Sequence, residues 1–324
     1  MTFPFTRAHF ESFRFQVWRK LSSCRIPCLL CGSRKTSLVY KSANVHMAGF
    51  REVFAERVEK CETCGFVFTN PRLPARALEK YYTKNYRLEG LPIPKSVEQF
   101  LSEEYREIWF SKQRDLNVVL GAKSHGRLLD IGCASGTLLW LARQKGFDVE
   151  GVEVSKGSAE FANDILGIDV FCGQLEDAHF PNAHFDVVTM FHALEHVPEP
   201  RKVLREIRRI LSDDGVFIAV VPNFASWSAR KQKANWKWLQ PENHYSHFTP
   251  ETISALAERE GFAPSMSTEE GRYGAEDIRQ AYAAEEIPRV YAELKGSEII
   301  LVGRKTRTNN SAKPALSPPV SAAR

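Results

Sequence analysis

The sequence predicts an α/β protein: a seven-stranded, mostly parallel Rossmann-like sheet preceded by a small zinc-ribbon-like module. Two observations predict it. Between residues 126 and about 304, short apolar runs alternate with amphipathic helical patterns, which is the βαβ pattern of a parallel sheet. Ahead of this region lie two Cys-x-x-Cys pairs, Cys28/Cys31 and Cys61/Cys64, each followed directly by glycine. Such pairs are typical of a small ribbon that has little apolar core of its own.

Each element of the large region is assigned from its local pattern: short apolar runs predict strands, and apolar residues at helical spacing predict helices. The predicted strands are 127–131, 148–154, 168–172, 185–191, 215–221, a strand near 263–268, and 297–303. The predicted helices are about 137–145, 156–166, 200–211 and 250–260. Upstream, Leu101, Tyr105, Ile108, Leu116 and Val119 fall near helical spacing among charges, so this part is predicted to be mainly helical.

The 324 residues are predicted to divide into five segments. These are an aromatic and basic arm (1–27), the cysteine module (28–71), a helical connector (72–120), the α/β domain (121–305) and a tail (306–324). The tail is rich in Pro, Ser and Ala, a composition that favours disorder.

Composition excludes several classes of protein. Hydrophobic residues make up 43% and charged residues 26%, as in ordinary globular proteins. The longest apolar run, Val216 to Val221, is far shorter than the ~18 residues that a membrane span needs. The net charge of +5 is well short of the basic stripe of a dedicated nucleic-acid binder. Seven cysteines, an odd number without an apolar signal peptide, favour thiolates in a reducing compartment, so we expect a cytoplasmic protein.

A small-residue turn follows the first strand of the α/β region. A dinucleotide-binding fold typically has the motif Gly-x-Gly-x-x-Gly, but here Ala134 and Thr137 occupy two of the glycine positions. Asp130-x-Gly132-x-Ala134-x-Gly136 instead follows the pattern D/E-x-G-x-G-x-G, with alanine at the middle glycine. At the end of the second strand, the Glu153 carboxylate can accept hydrogen bonds from both hydroxyls of a ribose. The alternative interpretation is a tight turn beside a surface glutamate.

From about 126 to 304 the sequence resembles the class I S-adenosylmethionine-dependent methyltransferases. The turn carries this resemblance together with Phe180-Pro181, Phe185-Asp186-Val187-Val188 and His192-Ala193-Leu194-Glu195-His196-Val197. The resemblance implies that Asp130, Gly132, Ala134 and Gly136 surround the methionine part of the cofactor, Glu153 the ribose, and Gln174 and Leu175 the adenine. It also implies that Phe191 and His192 face the reactive end. Gln174 stands where the family often has Asp, but its amide oxygen can still accept a bond from the adenine amino group.

The His192-x-x-Glu195-His196 stretch admits other interpretations. It spells the H-x-x-E-H motif of inverted zinc proteases, but Pro198 and Pro200 argue against the continuous helix which that site needs. It is also similar to the E-x-x-E-H motif of metal-dependent O-methyltransferases that act on quinol or RNA hydroxyls, with His192 at the first Glu position. A metal site of His192, Glu195, His196 and His247 is therefore an alternative. The favoured interpretation is that Glu195 and His196 cap and orient a loop.

The paired cysteines Cys28, Cys31, Cys61 and Cys64 predict a structural zinc site, because two such turns complete a tetrahedral Zn²⁺ with no open position. Unligated thiols or redox pairs are the alternative. The layout resembles methyltransferases with an N-terminal zinc module, a group that includes deoxysugar C-methyltransferases. Charges of both signs between residues 33 and 60 make a poor phosphate track, so we do not expect nucleic acid as a partner.

The stretch 227–249 is aromatic, basic and rich in histidine, and it follows the fifth strand. His244 falls on the general-base position of a similar segment in the sugar C-methyltransferases, with His192 or His247 as an accessory. A His–aromatic packing cluster is the alternative. Lysines, arginines and tryptophans here suit a phosphorylated or nucleotide-linked sugar. The N-terminal arm has the composition of a peripheral membrane helix, although packing on its own protein or a second copy is favoured.

The sequence therefore predicts methyl transfer from S-adenosylmethionine to a small acceptor, sugar-linked or lipid-linked. A metal-assisted O-methyltransferase is the alternative enzyme, and a cofactor-fold binding protein without activity is the non-enzyme alternative. Asp130, Gly132, Gly136 and Glu153 argue against the last.

Overall fold

The computed structural model describes residues 21–42, 56–72, 92–269, 293 and 295–306. Most of the predicted arm, part of the connector and nearly all of the predicted tail lie outside these residues. Within them, no helix is both long enough and apolar enough to cross a membrane.

The large sheet has seven strands, as the sequence predicts. They are β4 (Arg127–Ile131), β5 (Asp148–Glu153), β6 (Asp169–Cys172), β7 (Phe185–Phe191), β8 (Leu211–Pro222), β10 (Phe262–Glu269) and β11 (Glu298–Lys305). Their order is β10-β11-β8-β7-β4-β5-β6. The pairs among β4 to β8 are parallel, and β11 runs antiparallel to both β8 and β10. The prediction of a mostly parallel α/β sheet is confirmed.

The fifth strand of this sheet starts earlier than the predicted 215. Leu211 already pairs with Phe185, and the register then shifts so that Val216 pairs with Val187. The residues between them bulge out, and because they are polar or glycine, the apolar run that predicts the strand begins only at Val216.

Helices cover both faces of the large sheet. They are α1 (Val97–Phe100), α2 (Arg106–Ala122), α3 (Thr137–Gln144), α4 (Lys156–Glu160), α5 (Pro200–Ile210), α6 (Trp227–Gln232) and α7 (Pro250–Arg259). Alternation along the strands makes two cores: Leu129 and Val188 belong to one, and Leu128 and Val187 to the other. The predicted helix 156–166 continues after α4 as a π-helix, Phe161–Ile165. In the connector, Leu101 is exposed because it caps the end of α1 rather than lying on the apolar face of α2.

A second, antiparallel sheet joins the cysteine module to the α/β domain. Its strands are β1 (Thr36–Ser42), β2 (Glu56–Cys61), β3 (Val67–Thr69) and β9 (Ser246–His247), in that order. The last strand comes from the histidine-rich stretch of the large domain. Val67 pairs with His247, and Phe68 pairs with Ser246. The module therefore contacts the α/β domain through backbone hydrogen bonds as well as side chains.

Candidate functional site

A cavity of about 530 Å³ lies at the carboxyl ends of the parallel strands, where open α/β sheets bind ligands. Five of the predicted site residues line it: Gly132, Glu153, Gln174, Leu175 and His192. The other lining residues include Ile131, Val152, Lys156, Glu176, Asp177, Met190, Ala193, His196, Val197 and Pro198. Glu176 and Asp177 are acidic neighbours of the predicted adenine residues which the sequence analysis did not select.

The turn after β4 has the backbone that its glycines predict. Gly132 and Gly136 have positive φ angles of 76° and 79°. A Cβ added at Gly132 would lie 2.9 Å from the Cβ of Ala193, so a larger residue does not fit there without a shift. Ala134 also has a positive φ, 51°, which an L-residue adopts at a cost of about 1–2 kcal/mol. The amide of Ala134 donates to Glu153 Oε2 at 2.9 Å, and this bond stabilises the strained turn.

Glu153 is buried, and its carboxylate is held by backbone amides. Ser155 N donates to Oε1 at 2.7 Å, opposite the Ala134 bond to Oε2. Burial raises the pKa of Glu153, and the amide hydrogen bonds oppose that rise. A carboxylate has about four acceptor sites, so these amide bonds leave Glu153 able to accept a hydrogen bond from a ligand in the cavity. The geometry fits a pair of ribose hydroxyls, and the role of Glu153 stays a prediction.

Asp130 and Phe191 lie on the other face of the sheet from the cavity wall. Asp130 is buried and accepts a hydrogen bond from Thr189 Oγ1 at 2.7 Å. Phe191 does not line the cavity, and its position against the cofactor's reactive end stays a prediction. Because neighbouring side chains on a strand alternate, Met190 and His192 line the cavity while Phe191 packs under Lys112, whose Nζ is 5.8 Å from the ring centroid.

Lys112 is a basic residue near the glycine turn that the sequence analysis missed. Its Nζ donates to Asp115 at 2.9 Å, and its charge lowers the pKa of Asp130. Burial outweighs that effect and raises the pKa of Asp130 to about 7. Ala134 and Gly136, like Asp130, do not line the cavity itself. Ala134 packs against Tyr105 and Ile108 at the start of α2, whereas a Cβ added at Gly136 would lie 3.2 Å from the Cβ of Ala162.

Glu195, His196 and His244 form a cluster beside the cavity. One ligand atom from each lies within 4.8 Å of the other two. His196 Nδ1 donates to the carbonyl of Asn243 at 3.1 Å, which leaves Nε2 as the atom with a lone pair. His244 likewise makes a ring hydrogen bond to the backbone of Trp238. Burial lowers the pKa of both histidines, so both are neutral at neutral pH.

The donor set of this cluster suits a divalent metal ion. Two neutral imidazoles and one carboxylate are a common set of protein ligands. Glu195 Oε2 is buried and has no hydrogen-bond partner among the residues that the structure describes. The cluster differs from the predicted set, because His244 takes the place of His192 and His247. His247 Nε2 instead lies 3.2 Å from Thr69 Oγ1 in the small sheet.

His192 lies in the cavity wall between two carboxylates. Its Nε2 is 3.5 Å from Glu298 Oε1, and its Nδ1 is 3.8 Å from Glu195 Oε1. The ring stacks on Trp238 with centroids 6.0 Å apart. Burial alone would lower the pKa of His192, but the two carboxylates outweigh it and raise the pKa. Glu298 is the first residue of β11 and directly precedes the apolar run Ile299–Val302, and this charge beside a buried run was the signal available in the sequence.

His244, the predicted base, is buried behind His196 and does not line the cavity. The two rings are in T-shaped contact, with centroids 4.6 Å apart. Within the structurally described part of the chain, His196 is thus the histidine between the cavity and His244.

The four predicted zinc ligands come together. Cys28 and Cys64 Sγ are 3.5 Å apart, as are Cys31 and Cys61 Sγ. Ligands about 2.3 Å from a tetrahedral zinc are about 3.8 Å from each other, so the thiols fit the ion with a small expansion. A hydrogen bond with Cys64 lowers the pKa of Cys28 to about 5. The other three cysteines, Cys24, Cys133 and Cys172, are outside the group.

Comparison with known proteins gives the following matches. The chain is 34% identical over 104 residues to a ubiquinone biosynthesis O-methyltransferase of Neisseria meningitidis, covering 29% of this chain and 44% of that protein. It is 32% identical to the methyltransferase GfsG of Streptomyces halstedii, covering 43% and 51%. An uncharacterized methyltransferase of Staphylococcus carnosus is 31% identical, with 39% and 60% covered. The chain therefore spans about half the length of the curated relatives it matches.

Solved structures and a family model also match. A structure titled as a possible histamine N-methyltransferase of Thermotoga maritima matches with a TM-score of 0.49 and 22% identity, covering 64% of this chain and 98% of that one. A methyltransferase of Archaeoglobus fulgidus gives a TM-score of 0.48 and 21% identity, covering 63% and 97%. The family model described as a methyltransferase domain matches residues 102–265, half of the chain. The protein thus belongs to the methyltransferase domain family.

Proposed function

We propose that the protein transfers a methyl group from S-adenosylmethionine to a small-molecule acceptor that is linked to a sugar or a lipid. The observation that carries the proposal is the buried Glu153 carboxylate in the cavity wall, bonded to the amide of Ala134 in the glycine turn. S-adenosylmethionine supplies an electrophilic methyl group on a sulfonium centre. The protein's task is then to hold both partners in line and to accept a proton from the acceptor. Family membership supports this reaction class.

On the cofactor side, the Glu153 carboxylate would accept hydrogen bonds from the ribose hydroxyls. The amide oxygen of Gln174 would accept one from the adenine amino group. Leu175 packs beside the adenine. Asp130 does not line the cavity but lies at the turn, on the side of Lys112, and there its buried carboxylate, with one oxygen bonded by Thr189, would attract the ammonium of the methionine part. Gly132, Ala134 and Gly136 allow the backbone to approach that part closely.

On the acceptor side, the His192 ring in the cavity wall stacks on Trp238, which follows a basic segment of the chain. Exposed cations follow one another along this segment: Arg230, Lys231, Lys233 and Lys237. Lys237 Nζ lies 5.7 Å from the centroid of the Trp238 ring. Cations beside an aromatic ring suit a phosphorylated or nucleotide-linked sugar.

His244 is the proposed base, acting next to His196 and the cavity. Burial lowers its pKa, so the imidazole is neutral at pH 7 and one of its ring nitrogens carries a lone pair. His192 is the proposed accessory residue, because its side chain lines the cavity, as does that of His196.

A metal-assisted O-methyltransferase is the second candidate, and the Glu195, His196 and His244 cluster favours it. These residues would hold a divalent ion, which would polarise an acceptor hydroxyl. Four of the matching relatives are named ubiquinone biosynthesis O-methyltransferases. In this case His244 is a ligand and not a base.

We also propose that Cys28, Cys31, Cys61 and Cys64 hold a structural zinc and that the protein works in a reducing compartment such as the cytoplasm. Their thiols are free of disulfides, and four thiolates leave zinc no open position for catalysis.

Methyl transfer is tested with S-adenosylmethionine carrying a labelled methyl group and the ultrafiltered small-molecule fraction of a cell extract. We expect label in a product of low molecular mass, and a His244→Ala variant with far slower transfer but unchanged cofactor binding. A His179→Ala variant, which changes an exposed histidine away from the cluster, is the control. No labelled product from any fraction favours a binding protein without activity.

The same assay separates the two candidates. If brief treatment with EDTA abolishes transfer while one zinc per chain is retained, the metal-assisted reaction is supported. If transfer survives removal of every ion except the structural zinc, His244 acts as a base.

A further inference from the structure

We propose that the cysteine module supplies a positioning residue to the catalytic site: Thr69, at the end of β3, holds the segment that carries His244 and His247. This inference rests on the proposed function, because it gives His244 a role on the acceptor side. It assigns the N-terminal module a part in catalysis beyond the stabilisation of its own fold.

The contacts of Thr69 join the module to the histidine segment at three points. Its hydroxyl donates to the carbonyl of His244 at 2.8 Å, and its amide donates to the carbonyl of Tyr245 at 3.0 Å. His247 Nε2 lies 3.2 Å from the same hydroxyl oxygen. Thr69 is 1% exposed, so water does not compete for these bonds. The side chain therefore makes two hydrogen bonds that a valine of the same shape would lose.

The direction of these bonds follows from the number of protons. A hydroxyl has one proton, and the His244 carbonyl can only accept, so that proton lies between Thr69 and His244. The bond to His247 must then run the other way, with Nε2–H donating to the Thr69 oxygen. This fixes the tautomer of a neutral His247 with its proton on Nε2 and its lone pair on Nδ1.

The opposite side of the same segment is bonded to the loop that carries Glu195 and His196. Tyr245 N donates to the carbonyl of Glu195 at 2.8 Å, and His196 Nδ1 donates to the carbonyl of Asn243. The segment is thus held between the module and the catalytic loop. Thr69 fixes the backbone from which the His244 ring reaches His196, whether His244 is a base or a ligand.

The cofactor residues are separate from this arrangement. Glu153 and Gln174 come from the far side of the sheet, at β5 and after β6, and Thr69 contacts neither of them. Loss of the Thr69 hydroxyl is therefore expected to slow methyl transfer without weakening the binding of S-adenosylmethionine. Misplacement of a catalytic group by about 1 Å can cost on the order of 100-fold in rate.

The test compares Thr69→Val, Thr69→Ser and Thr36→Val in the full chain. Thr36 lies in the same small sheet and donates to Glu59, so its replacement controls for loss of a hydroxyl in the module. Three quantities are measured: transfer of labelled methyl into the small-molecule fraction, the dissociation constant of S-adenosylmethionine, and the ¹⁵N shifts of the His247 ring.

We expect Thr69→Val to slow transfer by about 10- to 100-fold with a cofactor dissociation constant within about twofold of the original, and Thr69→Ser to restore most of the rate. We also expect the His247 shifts to show the Nε2–H tautomer in the original protein and in Thr69→Ser, and a mixture in Thr69→Val. Transfer by Thr69→Val at the original rate, or no recovery in Thr69→Ser, would overturn the proposal. If the original protein neither binds the cofactor nor transfers methyl, the proposed function fails, while the His247 shifts still report whether Thr69 sets the tautomer.

Discussion

The backbone amide of Ala134 donates to the Glu153 carboxylate at 2.9 Å, which joins the turn after β4 to the end of β5. The bond links the strained backbone at Ala134 to the buried carboxylate of Glu153. The turn and the Glu153 carboxylate, which lines the cavity, are therefore held in one arrangement without a ligand, and such preorganisation lowers the entropy cost of binding.

Replacement of Gly132 by alanine is expected to destabilise the protein more than the same change at Gly167. Both residues have positive φ angles, 76° and 61°, but a Cβ at Gly132 meets Ala193, whereas nothing lies within 4 Å of one at Gly167. Gly167→Ala should cost about 1 kcal/mol from the backbone alone, and Gly132→Ala about 1–3 kcal/mol more from overpacking. Urea unfolding measures both, and equal losses of stability would show that the contact with Ala193 is unimportant.

The affinity for S-adenosylmethionine is expected to depend on pH through Asp130. Its pKa is raised by burial to about 7, so the carboxyl becomes protonated as the pH falls below that value. Only the ionised form attracts the cofactor's ammonium group. Affinity should therefore be highest above pH 7 and fall by up to about tenfold per pH unit below it. Calorimetry between pH 5.5 and 7.5 measures this, and Asp130→Asn should bind weakly with no such slope. A steep slope that persists in Asp130→Asn would assign it to another group.

Lys112→Met is expected to move that midpoint to higher pH. Burial raises the pKa of Asp130 and the Lys112 ammonium lowers it. Removal of the ammonium should therefore raise the pKa of Asp130 further. Binding of S-adenosylmethionine at pH 7 should then weaken, and should recover as the pH is raised. Lys145→Met, at an exposed lysine, is the matched control. An unchanged midpoint in Lys112→Met would separate the lysine from the titration of Asp130.

We expect one zinc ion per chain in the purified protein and less zinc in the Cys61→Ser variant. Cys61 is fully buried in the four-thiol group, so a serine there leaves three thiolates and a weaker site. Metal analysis and thermal unfolding measure the loss of zinc and of stability. Cys172→Ser, at an exposed cysteine outside the group, should keep both. The same zinc content in the two variants would be evidence against the site.

Much of the fold could be predicted from the sequence, because its signals are local. Apolar runs placed β4 and β7 at the residues where the structure has them, 127–131 and 185–191. The turn glycines and the position of Glu153 at a strand end were equally local. The start of β8 was not, since it depends on pairing across the register shift opposite Phe185.

The histidine cluster beside the cavity was harder to predict, because distant segments build it. Thr69 and His244 are joined by a hydrogen bond across 175 positions of the chain, and no spacing rule encodes that contact. The grouping of His244 with Glu195 and His196, instead of His192 and His247, depends on the strand pairing that turns His247 toward Thr69. The resemblance implies that Phe191 faces the cofactor's reactive end, whereas the alternation of side chains along β7 turns its ring away from the cavity wall.

Calorimetric titration with S-adenosylmethionine tests the central claim most directly, using the original protein, Glu153→Ala and Glu150→Ala. Glu150 lies on the same strand but is partly exposed and pairs with His184. We expect one binding site in the original protein and in Glu150→Ala, and at least about tenfold weaker binding in Glu153→Ala, because its charged hydrogen bonds to the ribose are lost. No binding to the original protein at millimolar cofactor, or equal binding by Glu153→Ala, would contradict the account.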